Sequence, residues 1–326
     1  MKTCLIFILL LLISPSLRAQ LSSAGKSIAV DRLPVNLSVR SPSADSTTLD
    51  RSRLTIAIAG SAVVWAASYL ALDKAWYADQ PRSAFHFFDD SKEWLQADKG
   101  GHIWSTYQMS RLTTEMWKWT GMKKKNAVVA GAASGIAYQS IIEIQDAYST
   151  EWGFSWSDML ANVVGASAFA SQELIWNEQR IQVKLSYQSI DYPTELRERR
   201  NELFGASLAE RILKEYNAHT FWLSTNLHSF TGGKLPKWLN VALGYHAEGM
   251  YGGFENRWTD RRGNVFDRTD IQRTRHWVLS PDIDFTKIPT RRKGIKALFL
   301  LMNMIKVPAP AINLSQGKLK AHFLYF

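Results

Sequence analysis

The sequence predicts a mainly α protein: a bundle of about four apolar helices followed by a mixed α/β C-terminal region. Three observations carry this. Segments 54–72, 126–142 and 159–176 are apolar and rich in small residues, with 54–72 wholly uncharged. Stretch 98–119 has a helical period but sets His102, Arg111 and Glu115 among its apolar residues. Past residue 178 the pattern changes, and Ile181, Val183, Leu185 and Tyr187 alternate with polar residues as in a strand.

In chain order, 1–19 reads as a secretory signal peptide: Lys2, an apolar run over 4–13, then Ala19 before a polar residue. Export is the expectation. Cys4, the single cysteine, falls inside that segment, so the mature chain would have no thiol, disulfide or cysteine metal ligand. Segment 20–50 is Ser-rich, contains Pro34 and Pro42, and reads as a flexible lead-in.

The helical unit is placed at 51–178. Gly131 and Gly135, and then Ala161, Gly165 and Ala168, are small residues spaced to let helices approach closely. Arg51, Arg53 and Lys123-Lys124-Lys125 would mark a cytoplasmic side. A cleaved signal peptide would leave the residues before Arg53 outside, so the two signals conflict. A bundle lying in or against a membrane reconciles them better than four regular spans.

Region 179–326 reads as basic mixed α/β, with a charged helical stretch at 194–216. Strands are expected at 221–227, 241–246, 276–279 and 319–326, and an apolar run at 297–305 is closed off by Pro308 and Pro310. The alternation ending at Phe326 resembles a membrane-barrel strand, but Lys320 and His322 share its face and argue against that.

The net charge of +10 is uneven. Up to Trp176 there are 16 Lys/Arg against 15 Asp/Glu; beyond it, 23 against 14. In an exported protein this points to a membrane or anionic envelope lipids as partner rather than nucleic acid. Protein partners are not legible. There is no GxSxG, HExxH, phosphate loop or paired CxxC, so no motif calls for a cofactor. His86 reads as packed among Phe85, Phe87 and Phe88, and His219, His228, His246 and His276 lack metal-ligand spacing.

Polar stripes on the helices form the candidate site. Asp98 and His102 are four apart; Gln139, Glu143 and Asp146 make one stripe; Asp158 and Asn162 are again four apart, with Ser155 placed to cap their helix. In an antiparallel bundle these helix ends meet, gathering Asp98, Lys99, His102, Glu143, Asp146, Ser155, Asp158 and Asn162. Such a set could hold a divalent cation, share a proton as acid and base, or form a satisfied buried network. The sequence leaves open whether the protein is an enzyme.

Asp98-Lys99-Gly100-Gly101-His102 resembles the DKxGH signature of the YfiM-type family of predicted periplasmic lipoproteins, a domain of unknown function. Glu143 with Asp146, and Phe154-Ser155 followed by Asp158, Asn162 and Gly165, resemble its second and third blocks. The skeleton is more distantly similar to VanZ-like membrane proteins. Those place Gln where Asp146 stands and Arg before the Phe-Ser pair, where this chain has Glu151-Trp152-Gly153. The resemblance covers about 85–170 and implies a location in the periplasm or cell-envelope membrane, with a site whose reaction is not established. Two functions follow as expectations. One is a membrane-associated envelope protein binding a lipid-linked or anionic envelope ligand. The other is a non-catalytic assembly factor whose cluster is a hydrogen-bond network.

Overall fold

The computed structural model describes residues 48–73, 81–260 and 262–326. The signal peptide and nearly all of the lead-in lie outside these residues.

Four long helices come first: α1 (Arg51–Leu72), α2 (Ala97–Trp119), α3 (Lys124–Asp146) and α4 (Trp156–Ile175). Helix α2 is central and packs along both α3 and α4, which also touch each other. Glycine makes this possible. A Cβ on Gly131 would stand 2.0 Å from Thr114 Oγ1, and one on Gly165 would stand 2.4 Å from the Ile103 carbonyl oxygen. The core face of α2 is unusually polar, burying Ser105, Thr106, Gln108, Ser110, Arg111 and Thr114.

Helix α1 is attached differently. Asp50 caps it by accepting from Arg53 N, and the Arg53 guanidinium donates to the Trp119 carbonyl. Midway, Tyr138 donates to Ser68 Oγ and packs on Trp65. Ile56, Ile58, Val63 and Leu70 nevertheless stay exposed. The expected bundle of about four helices is therefore three mutually packed helices with α1 along the rim. Arg51–Ala71 and Lys124–Asp146 are both long and apolar enough to cross a membrane, and the first is far less buried in protein than the second.

The second half holds β1 (Ile181–Tyr187), α5 (Arg197–Phe204), α6 (Leu208–Lys214), β2 (His219–Asn226), α7 (Leu227–Phe230), β3 (Leu239–Glu248), β4 (Arg257–Thr259), β5 (Val265–Asp267), β6 (Thr274–Ile283), α8 (Lys293–Met302), β7 (Ala309–Ser315) and β8 (Lys318–Tyr325). Six strands form one antiparallel sheet in the order β1-β2-β3-β6-β7-β8, and β4 and β5 pair apart from it. This corrects the mainly α expectation: the described chain is mixed α/β. Strand β7 was hidden by Pro308 and Pro310, which read as terminators. Pro310 instead sits within two residues of the strand's start, where the β7–β8 register slips between Ala309 and Ala311.

The sheet packs on α2 through one side. Trp104 Nε1 donates to the Met304 carbonyl, Gln108 Nε2 donates to the Val183 carbonyl, and the Phe221 ring lies where a Cβ on Gly100 would stand. Beyond that contact the same side is apolar and open: Leu223, Leu243, Trp277, Leu279, Ile312 and Leu314 are all exposed. The other side buries many polar residues beside a small apolar cluster of Trp222, Ala242, Val278, Ala311 and Tyr325. Lys184 and Asp282 pair at 2.7 Å with no exposure of either side chain. Ser224 also donates to Asp282, Gln182 donates to Asp284, and Asn303 donates to Gln182. The usual alternation of a sheet, apolar in and polar out, is inverted.

Burial drives the Lys184 ammonium below its usual range despite the attraction of Asp282. Lys184→Ala would leave Asp282 buried without its counter-charge and should cost about 3–5 kcal/mol in urea denaturation. The paired change Lys184→Met with Asp282→Leu should cost much less.

Candidate functional site

Three helix ends and one connector meet at the site. Asp98, Lys99 and His102 occupy the first turns of α2, Glu143 the last turn of α3, and Asp158 and Asn162 the start of α4. Ser155 caps α4 as its sequence position implied, accepting from Asp158 N at 3.0 Å. The connector before α2 pairs with the α3–α4 loop: His86 N donates to the Ala147 carbonyl, Phe154 N to the His86 carbonyl, and Phe88 N to the Phe154 carbonyl. Phe85, Phe87, Phe154 and Trp156 stack across this seam. The pairing carries Asp90 into the cluster.

Lys99 is the hub of the positive charge. Its Nζ lies 2.6 Å from Asp158 Oδ1, 2.8 Å from Asp90 Oδ1 and 3.2 Å from Asp98 Oδ2. Ser155 and Ser157 both donate to Asp90 Oδ1, at 2.5 and 2.6 Å. His102 is the second hub. Its Nδ1 lies 3.1 Å from Asn162 Oδ1, which also accepts from Thr106 Oγ1 at 2.9 Å. With Nδ1–H donating to that oxygen, Nε2 carries the ring's lone pair.

Three carboxylate oxygens face that lone pair: Glu143 Oε1 and Asp158 Oδ2 at 3.7 Å and Asp98 Oδ1 at 3.8 Å. All three distances are too long for a hydrogen bond. In each carboxylate the other oxygen is fixed from behind. Lys99 holds Asp98 Oδ2 and Asp158 Oδ1, and Ser155 N donates to Glu143 Oε2 at 3.4 Å. Suitable ligand atoms of Asp98, His102 and Asp158 all lie within 4.8 Å of one another.

The charges are unbalanced: Asp90, Asp98 and Asp158 surround one ammonium, Glu143 lies beside His102, and all four carboxylates are buried or nearly so. Burial opposes charge on Lys99, but Asp98, Asp158 and Asp90 outweigh it and keep the ammonium charged far beyond its usual range. Burial also opposes charge on Asp98, yet His102, Lys99 and the Tyr216 hydroxyl hold that carboxyl well below its ordinary value. Asp158 moves the other way. Burial, then the charges of Asp98 and Glu143, raise it well above the carboxylate range. Burial brings the His102 imidazole down to about 4, so the ring is neutral at physiological pH.

Comparison with known families comes down to one segment. Residues 86–172 match the family described as a predicted periplasmic lipoprotein, DUF2279. The YfiM-type resemblance is thereby shown for this stretch, which contains every helical residue of the cluster. The protein is exported, to the periplasm or cell envelope. The likeness to VanZ-like membrane proteins is not supported, and neither curated proteins nor solved structures give a match.

Of the eight residues expected at the site, seven meet there. Asp146 is the half-buried last residue of α3. Sequence reasoning missed Asp90, Thr106, Ser157 and Tyr216. Asp90 sits in a connector without periodicity, and Tyr216, which donates to Asp98 Oδ1 at 2.7 Å, is 118 residues away in the chain.

The entry into α2 is strained. Trp94, Leu95 and Gln96 have φ of 48°, 49° and 66°, three successive non-glycine residues in the left-handed region, at about 1–2 kcal/mol each. The second half of the chain clamps them: Trp94 N donates to the Gly253 carbonyl, Tyr245 OH to the Leu95 carbonyl, and Arg275 to Gln96 Oε1. Strain of this kind persists where surrounding contacts over-determine it, and here it sets the direction in which Asp98 leaves the turn.

Beside this turn, burial and then the charges of Asp98 and Asp90 push the Glu93 carboxyl from 4.5 up to about 7. The folded chain holds a proton there that the unfolded chain has released. Glu93 therefore favours the fold at acid pH, and that contribution is lost as pH rises through about 7. In chelator, the stability of the parent relative to Glu93→Gln should fall between pH 4.5 and about 7, as read by melting temperature across the pH series.

Proposed function

We propose that this is a membrane-associated envelope protein whose helical unit binds a divalent cation, with His102, Asp98, Glu143 and Asp158 as its ligands. One observation carries the reading: a neutral imidazole turns its lone pair on three carboxylate oxygens, with no hydrogen bond between them. A lone pair and carboxylate oxygens at this spacing repel, and a cation among them relieves that repulsion as a proton on Asp158 relieves part of it. With metal–ligand bonds of about 2.1–2.5 Å, neighbouring ligand atoms sit about 3.0–3.6 Å apart, so Asp98, His102 and Asp158, whose ligand atoms lie within 4.8 Å of one another, would draw in around an ion and Glu143 would close on it from the His102 side. The Nδ1–H to Asn162 contact is the support that fixes the tautomer of a ligating histidine. Three oxygens and one nitrogen suit a hard to borderline ion of the manganese type.

This reading revises how an anionic envelope ligand would be held. The cluster is itself acidic, so a phosphate or carboxylate head group would be received through the cation. Membrane association is supported by the bare apolar length of α1, by the outward apolar side of the sheet and by the basic second half.

A second reading, an assembly factor with a purely structural network, is favoured by the three-way pairing of Lys99. There the excess charge is relieved by a proton on Asp158 rather than by a metal.

Thermal melts of the detergent-purified, chelator-stripped protein separate the two. Under the cation reading, Mn²⁺ at a hundredfold excess over its dissociation constant adds about 2.7 kcal/mol, and Asp158→Asn removes that gain. If Mn²⁺, Mg²⁺ and Ca²⁺ all leave the melt unchanged and Asp158→Asn folds as stably as the parent, the network reading stands. Flotation with anionic vesicles tests the membrane part, and a chain that stays at the bottom of the gradient would refute it.

A further inference from the structure

The inner, polar side of the sheet carries a second group of ligand-type side chains that the helical centre does not use. His246 on β3 and His276 on β6 are direct cross-strand partners, with ring centroids 5.2 Å apart. Glu248 lies two residues beyond His246, hence on the same side of the sheet. Its carboxylate reaches both rings: Oε1 is 3.0 Å from His276 Nε2 and Oε2 is 3.7 Å from His246 Nε2. Suitable ligand atoms of the three residues all lie within 4.8 Å of one another.

We propose that His246, His276 and Glu248 form a second metal centre, selective for a borderline transition-metal ion of the zinc class. The far side of the His246 ring supports this assignment. His246 Nδ1 donates to the His219 carbonyl at 2.9 Å, so its Nε2 is the ligating atom. His276 Nδ1 lies 3.0 Å from Asn313 Nδ2 and 3.3 Å from Asn313 Oδ1, so the amide has to present its oxygen to Nδ1–H for Nε2, now 3.0 Å from Glu248 Oε1, to offer its lone pair to an ion. An imidazole oriented as His246 is, with Nδ1–H on a carbonyl, is the usual support of a metal-binding histidine. The Thr274 hydroxyl, 3.0 Å from His276 Nε2, is the contact an incoming ion would displace.

Two imidazoles and one carboxylate make a softer set than the one imidazole and three carboxylates of the helical centre. The two centres therefore select different ions. Both histidine side chains are 11% exposed and Glu248 is 47% exposed, which gives an ion a route in from solvent. Paired strands fix the positions of the two rings more tightly than a loop would.

The test is Zn²⁺ titration of the full chain against a chromophoric chelator, with Co²⁺ as an optical probe. The parent should bind Zn²⁺ and give the visible absorption of tetrahedral Co²⁺. His246→Gln should abolish the Co²⁺ band, and Asn313→Ala should weaken Zn²⁺ binding roughly tenfold or more. Glu248→Gln, a change at a half-exposed side chain, should weaken it as well without disturbing the fold. Asp158→Asn, which disables the helical centre, should keep the band, so failure of one centre is distinguishable from failure of the other. A parent that binds no Zn²⁺, or a His246→Gln His276→Gln chain that keeps the Co²⁺ band, would overturn the assignment.

Discussion

The ion pairs of Lys99 join three elements that the chain brings together from different directions. Asp90 comes from the connector, Asp98 from α2 itself and Asp158 from the start of α4. Each of these carboxylates is nearly removed from water, so none could stay charged without a partner. Without Lys99, four carboxylates would face one another across a buried space, at a cost of about 3–5 kcal/mol for each uncompensated pair. The connector's pairing with the α3–α4 loop, the cap of α4 and the orientation of His102 all follow from satisfying these charges. Even so, one ammonium cannot neutralise four carboxylates. The remainder must be met by a proton or a cation, and the proposed centre is the second of these.

The sheet serves this centre from outside. Tyr216 steadies Asp98, Tyr245 and Arg275 hold the left-handed turn that launches α2, and the Phe221 ring fills the space left by Gly100. Its polar side is closed on itself by Lys184, Asp282, Gln182 and Asn303, while part of its apolar side is left open. The arrangement leaves an apolar surface open while the Lys184–Asp282 pair is shut away from water.

Much of the helical unit was legible because its signals are local. Apolar periodicity located α1 to α4 within a few residues, and i, i+4 spacing put Asp98 with His102 and Asp158 with Asn162. The motif blocks then gave the order in which the helix ends meet. What escaped was non-local. Asp90 reaches the cluster only because backbone pairing with the α3–α4 loop carries it there, and Tyr216 only because the sheet folds back onto α2. His246 and His276 are thirty residues apart with no metal-type spacing, and strand register alone makes them neighbours. The sheet was under-read for a related reason. Its alternation runs polar inward, and Pro308 and Pro310 resembled terminators where β7 begins.

The most direct test of the cation centre is pulsed electron paramagnetic resonance on the Mn²⁺-loaded protein, in a chain whose sheet histidines are replaced by His246→Gln and His276→Gln. The account predicts nitrogen coupling from a single imidazole, lost in His102→Gln. Mn²⁺ bound without nitrogen coupling, or coupling that survives His102→Gln, would contradict it.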